Sequence, residues 1–234
     1  MVLLIIGLLA KTAIAPFGAL LAHNKREQAQ SQLHQVKQAV FAYVVAYGAL
    51  PCPMSRSAVR EPAIIAGATP LPLSEEQRPC LTSVGFVPTY AMGLVGPTSN
   101  NGALLDPWGR ELLYSVSLNK SESSGAQNVH YWTTPGAAAA VGVTQVHADL
   151  VLCHRSAQDN CRGKHVRSNQ IAFVLMSSGS DASASGWQAE NLDDDNFFTY
   201  TDESIVPGEQ FDDLLVWGSA ADTLYWMLRM GWLP

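Results

Sequence analysis

Charge is scarce in this sequence of 234 residues. Asp, Glu, Lys and Arg together make up 15%, and 14 basic residues face 20 acidic ones, for a formal net charge of −6. Lys and Arg nowhere gather into a patch, and phosphate backbones are bound by such patches, so no nucleic-acid partner is expected. The catalytic signatures are missing as well: the sequence holds no Gly-x-Ser-x-Gly elbow, no His-Glu-x-x-His, no phosphate loop and no dinucleotide fingerprint. Its six histidines are scattered, and Ser177-Ser178-Gly179-Ser180-Asp181 reads as a turn leaving a strand. The chain is therefore expected not to be an enzyme, and no catalytic residue is assigned. Cysteine is limited to four residues, Cys52, Cys80, Cys153 and Cys161.

What is abundant is apolar. Hydrophobic residues make up 47%, ample for one core. From Met1 to Ala22 the only charged side chain is Lys11. Crossing a bilayer takes about 20 apolar residues, so residues 1–22 are predicted to be a transmembrane segment, with Lys11 near mid-span and Pro16 as a kink. No Lys or Arg precedes the apolar run, as a cleaved signal peptide would require. Asn24 to Tyr47 contains neither Gly nor Pro, and Leu33, Val36, Val40, Val44 and Tyr47 recur at three- and four-residue steps beside Phe41. Residues 23–48 are predicted to be the amphipathic half of one long helix, stopped by Gly48 and Pro51. Residues 49–234 form the globular head.

Lys25 and Arg26 would hold the head side of the span in the cytoplasm. The cysteines point outward: four in number, in loops, they suit disulfides formed outside the cytoplasm, expected as Cys52–Cys80 and Cys153–Cys161. A zinc site from Cys153, His154, Cys161 and His165 matches no common ligand spacing. The expected location is a bacterial inner membrane, single-pass, with the head in the periplasm or in an extracellular filament.

Within the head, residues 50–105 read as an irregular region pinned by a disulfide. Strands are predicted at Glu111–Leu118, Ile171–Met176, Phe197–Tyr200 and Leu214–Trp217, with a short candidate at Asn128–Thr133. Ala137–Ala140 suits a short helix, Val143–Leu152 either element, and Ala220–Met230 a helix with Leu224, Met227 and Leu228 on one face. The fold class is α+β, with the long helix packed on an antiparallel sheet.

These features carry a resemblance. An apolar then amphipathic N-terminal helix ending in Tyr47-Gly48-Ala49-Leu50-Pro51-Cys52-Pro53 resembles the type IV pilin and type II secretion pseudopilin superfamily. So do Asp106-Pro107-Trp108-Gly109-Arg110 with the following Leu112–Val116, the run Ile171–Gly179, and the closing Phe211–Trp217. The resemblance implies a pseudopilin or minor pilin subunit that assembles through its N-terminal helix into a secretion pseudopilus or type IV pilus. Its partners would be other pilin or pseudopilin subunits, the inner-membrane assembly machinery and the membrane. The assembly residues would be Val2, Leu3, Leu4, Ile5, Ile6, Gly7, Leu8, Leu9 and Pro16. Aligned on Ile6-Gly7, the chain is expected to lack the family's basic leader and first mature residues. The alternative function is a non-polymerising, membrane-tethered periplasmic binding or adhesin-like protein.

One cluster has chemistry of its own. Asp193, Asp194 and Asp195 lie with Glu190 and Asn191, and Asp212 and Asp213 follow. Crowded carboxylates can hold calcium, which takes six to eight oxygens, although no EF-hand spacing is present. The resemblance points the same way, and Asp193, Asp195 and Asp212 are the expected ligands. Otherwise the cluster is a solvated acidic turn.

Overall fold

The computed structural model describes residues 2–56, 80, 82–117, 130–154, 165–181, 186–193, 195–204 and 211–234, the side chains of residues 2–17 and 19 aside. Helix α1 spans Val2–Tyr47 without interruption, 46 residues long. Its end is a left-handed cap: Gly48 has φ +67° and donates its N–H to Val44 O at 2.9 Å, a conformation that glycine adopts without a Cβ clash. Ala29, Leu33, Val36, Val40, Phe41 and Val44 are buried along one stripe, at the spacing that puts them on one helix face. Tyr47, predicted to continue that stripe, is exposed and stacks on Tyr43 with centroids 4.4 Å apart.

Among the described residues no helix is long and apolar enough to cross a membrane. This corrects the expectation of a transmembrane segment at residues 1–22 and of a single-pass inner-membrane protein with a periplasmic head. Where its side chains are described, α1 carries a short apolar run at Leu20–Ala22, followed by the polar and charged His23, Asn24, Lys25, Arg26 and Glu27.

Six strands form one curled sheet: β1 (Val84–Phe86), β2 (Leu113–Val116), β3 (Leu150–Cys153), β4 (Val166–Ser177), β5 (Phe197–Thr199) and β6 (Leu214–Ser219). The 12-residue β4 is the hub. Val174 pairs with Ser115 of β2 and with Trp217 of β6, while Ile171 pairs with Leu150 of β3 and with Ser219 of β6. A strand has two edges, so β2 and β3 lie end to end along one and β6 runs along the other. Ser117 closes the seam, its Oγ accepting the Asp149 N–H at 3.1 Å. All pairs are antiparallel except β3 with β5, which is parallel; the sheet is mixed, not antiparallel throughout as expected. The reason is the connection: the chain leaves β4, passes through a 3-10 segment at Gly186–Leu192 and returns beside β3 in the same direction.

The pleat sorts the core. Tyr114, Val116, Phe173, Leu175, Leu214 and Val216 join the α1 stripe in one cluster, while Val174, Met176 and Leu215 join Phe198 and Phe211 in another. Two helices complete the head, α2 (Ala137–Val141) and α3 (Ala220–Arg229). Ser219 caps α3, its Oγ accepting from Asp222 N at 3.0 Å. Met227 is buried against α1, whereas Leu228, expected on the same face, is exposed. Cys52 is bonded to Cys80 across 28 residues of sequence, a closure that stabilises by about 3–4 kcal/mol in the chain-entropy account. Of the weaker expectations, Asn128 and Val129 lie outside the described residues, and Tyr131–Thr133 turn instead of extending.

Two glycines in different settings test the packing. The Phe173 ring lies over Gly218, its partner across the β4–β6 ladder, where an added Cβ would collide with the ring, whereas nothing lies within 4 Å of a Cβ at Gly18 on α1. Gly218→Ala is expected to cost about 1–3 kcal/mol by overpacking, read as a lower denaturant midpoint. Gly18→Ala should leave that midpoint unchanged or raise it, by up to about 1 kcal/mol. Equal effects from the two would overturn the assignment of Phe173 to that contact.

Candidate functional site

Two of the head motifs singled out in the sequence, Asp106–Arg110 and Ile171–Gly179, meet in space. Asp106 is buried and organises its own loop: Oδ1 accepts the N–H of Trp108 and of Arg110, both at 2.9 Å, while Oδ2 accepts the Ser177 hydroxyl at 2.6 Å. Gly109 supplies the positive φ, +82°, that the turn requires. Arg110 then reaches across to the turn after β4. Its Nη1 donates to Gly179 O at 2.9 Å and Ser178 O at 3.3 Å, and its Nη2 donates to Ser180 O at 2.5 Å. A guanidinium presents its donors in a fixed fork, so three carbonyls on one turn suit Arg and would not suit Lys.

The same turn is held from its other side. Asp212 Oδ2 accepts the Ser180 N–H at 2.5 Å, the Ser180 hydroxyl at 2.6 Å and the Asp181 N–H at 3.3 Å. Gly179 has φ +63°, and a Cβ there would fall on Asp212, so the close approach needs glycine. Gln188 bridges onward, donating to Asp181 Oδ1 at 2.9 Å and accepting the Asp212 N–H at 3.3 Å. Asn191 clasps β5 by both sides of its amide: Oδ1 accepts Thr199 N–H at 2.7 Å, and Nδ2 donates to Thr199 O at 3.1 Å and to Asp213 Oδ2 at 2.7 Å.

Asp213 is the electrostatic centre of this junction. It is 3% exposed, and burial pushes its pKa up to about 7; the Asn191 hydrogen bond opposes the shift, the Asp212 and Asp181 charges add to it, and Arg110 opposes it weakly. Asp212 is thus held by three donors, while desolvation makes the Asp213 carboxyl beside it harder to ionise. Beside Asp213 lies a polar cavity of about 160 Å³ that Arg26, Gln30, Tyr200 and Glu203 also line. Arg26 of α1 pairs with Glu203 at 3.0 Å there; both are partly exposed, so the pair contributes little.

Of the expected calcium ligands, Asp193 and Asp195 come together, and Glu190 joins them: one carboxylate oxygen from each lies within 4.8 Å of the others. Glu190 is buried, and it is the member the spacing argument passed over. The signal for it was only its polar loop. Asp212 is held by Ser180 and is not part of that group. Asp195 Oδ1 accepts the Phe197 N–H at 2.6 Å, which fixes the turn into β5. Asp194 lies outside the described residues. Cys153 is disulfide-bonded and so offers no thiolate to zinc, while Cys161 lies outside the described residues. Val2 to Leu9 and Pro16, the expected assembly residues, all lie on α1.

As chemistry, the junction is a clamp. Its hydrogen bonds join five separate segments and consist of carboxylates, amides, hydroxyls, backbone groups and one guanidinium. No protein-family model, curated protein or solved structure matches the chain.

Asp213 generates a pH dependence of known sign. Below about pH 4 it is protonated folded and unfolded, at no cost. Between there and pH 7 the folded chain keeps a proton that the unfolded chain releases, so stability falls as pH rises, by up to about 4 kcal/mol from a shift of this size. Asp213→Asn retains an acceptor for Asn191 and removes the titration. Denaturation of both proteins at pH 4 and pH 8 should show the wild type losing more stability than the variant; equal losses would sink the assignment.

Proposed function

We propose that this chain is a pilin-like structural subunit, a pseudopilin or minor pilin, that assembles with other such subunits through its N-terminal helix. The observation that carries the reading is the division of α1. From Ala29 to Val44 its apolar stripe is built into the head, whereas about 40 Å of helix runs ahead of Ala29 from Val2. That leading part is rich in Leu and Ile, and Leu20 and Leu21 on it are more than half exposed. Exposed apolar helix surface such as that of Leu20 and Leu21 is stabilised by packing on like surface, and heterologous packing of identical rods propagates as a filament. The ordered resemblance of Asp106–Arg110, Ile171–Gly179 and Phe211–Trp217 to pilin-type heads supports the same reading, as do the hydrogen bonds that join the first two motifs.

Ile6→Glu places a charge in the leading helix, 23 residues ahead of Ala29, the first buried residue of the stripe. Self-association of the full chain, followed by sedimentation velocity and negative-stain microscopy, should be abolished while the melting temperature of the head stays unchanged. Association that persists in Ile6→Glu would overturn assembly through the N-terminal helix, and its absence in the wild type would favour the non-polymerising binding protein instead.

Calcium at Glu190, Asp193 and Asp195 is the second part of the proposal. Three carboxylates on a short turn, one of them buried, supply hard oxygen donors of the kind that ion takes. Calcium should raise the melting temperature and a chelator should reverse the rise. Asp195→Asn should remove the response, and an unresponsive wild type would end this part of the reading.

A further inference from the structure

Helix α3 is apolar on both sides. Met227 is buried on one; on the other, Tyr225 is 53% and Leu228 45% exposed, followed by Met230 at 49% and Trp232 at 40%. Tyr47 at the end of α1 extends this surface, because the Trp232 indole donates to Val45 O at 2.9 Å and its ring packs where a Gly48 Cβ would lie. Large aromatics beside an arginine, here Arg229, which bonds the Tyr225 hydroxyl at 3.1 Å, form the composition of interface anchors. The five apolar side chains together expose on the order of 500 Å², a large part of the roughly 800 Å² that one partner contributes to a stable interface.

The position of the patch indicates its occupant. Trp226 packs on Phe41 with centroids 6.4 Å apart, and Trp232 reaches Val45 and Gly48, so α3 runs alongside α1 and places the patch at the C-terminal end of the long helix. The exposed Leu20 and Leu21 lie toward the other end, about 40 Å away along the same helix. One molecule cannot bring the two together, but two molecules can. Exposed Lys25 and Glu27 follow Leu21 within about two turns, and exposed Asp222 and Arg229 flank the patch, so each surface offers charges of both signs for the other to pair.

We infer that the Tyr47, Tyr225, Leu228, Met230 and Trp232 surface is the docking site for a second copy of this chain, received through the Leu20–Leu21 segment of its α1. Two different surfaces meet, so the contact is head-to-tail and does not close on itself. The inference rests on the assembly reading above and names the surface that receives the incoming helix.

The test uses the full chain. Tyr225→Glu with Leu228→Glu changes two exposed positions and should raise the concentration needed for self-association roughly tenfold or more, with the melting temperature unchanged. In a separate arm, chains carrying Leu21→Cys are mixed with chains carrying Leu228→Cys and oxidised. A mixed 21–228 dimer is expected, and this arm reads the contact whether or not the glutamate variant folds. Cross-links confined to 228–228, or association unaltered in the double variant, would overturn the inference. If Ile6→Glu abolishes association and the double variant does not, this contact falls and the assembly reading stands. If the wild type does not associate, both fall.

Discussion

Everything in this head depends on one seam, the buried stripe of α1 lying across the face of β2, β4 and β6. Ala29, Leu33, Val36, Val40, Phe41 and Val44 meet Tyr114, Phe173, Leu175 and Val216 there, and burying a side chain of this size stabilises by about 1.5–3 kcal/mol relative to exposure. Phe41 and Phe173 pack edge to face at 5.5 Å, the arrangement that aromatic quadrupoles favour. Phe173 in turn lies over Gly218. The helix is therefore keyed to one position on the sheet by an aromatic pair that fits only because β6 carries no side chain at that point.

The long helix, its stop at Gly48 and the strands at β4, β5 and β6 were legible in the sequence, each for a local reason: a three-to-four-residue stripe, a left-handed glycine and short apolar runs between turn residues. The first half of β4 was not. Val166 to Gln170 is polar and largely exposed, and it is a strand because β3 pairs with it, a long-range cause that no local pattern records. Gln170 shows the tension directly, adopting φ +60° while its Oε1 accepts the Ala148 N–H at 3.1 Å. The parallel β3–β5 pair was hidden for the same reason. Of the site, Asp193 and Asp195 were legible as an acidic turn. That Glu190 completes it and that Asp212 serves Ser180 instead depended on where a 3-10 segment laid its side chains.

The polar junction and the helix seam divide the work of holding the head. The seam is apolar and tolerant of direction; the junction is directional, since Arg110 on three carbonyls and Asp106 on Ser177 fix the turn after β4 in one orientation. Hydrogen-bonded networks of this kind contribute little net stability per bond, but leaving one member unpaired in a buried site costs more than the bond gained. That asymmetry is why the network specifies one arrangement of loops around a core that would otherwise accept several.

Asp213 is where the two meet. It immediately precedes β6, whose Val216 touches the helix stripe, and its carboxyl is bound to Asn191, which holds β5 through Thr199. The adjoining cavity is lined by Arg26, Gln30 and Leu33 of α1. A group that is neutral when buried and charged when wet is therefore placed between the helix and the outermost strand of the sheet. Its ionisation would bring a charge to the cavity that Arg26 of α1 also lines, and so links the titration of the sheet edge to the helix.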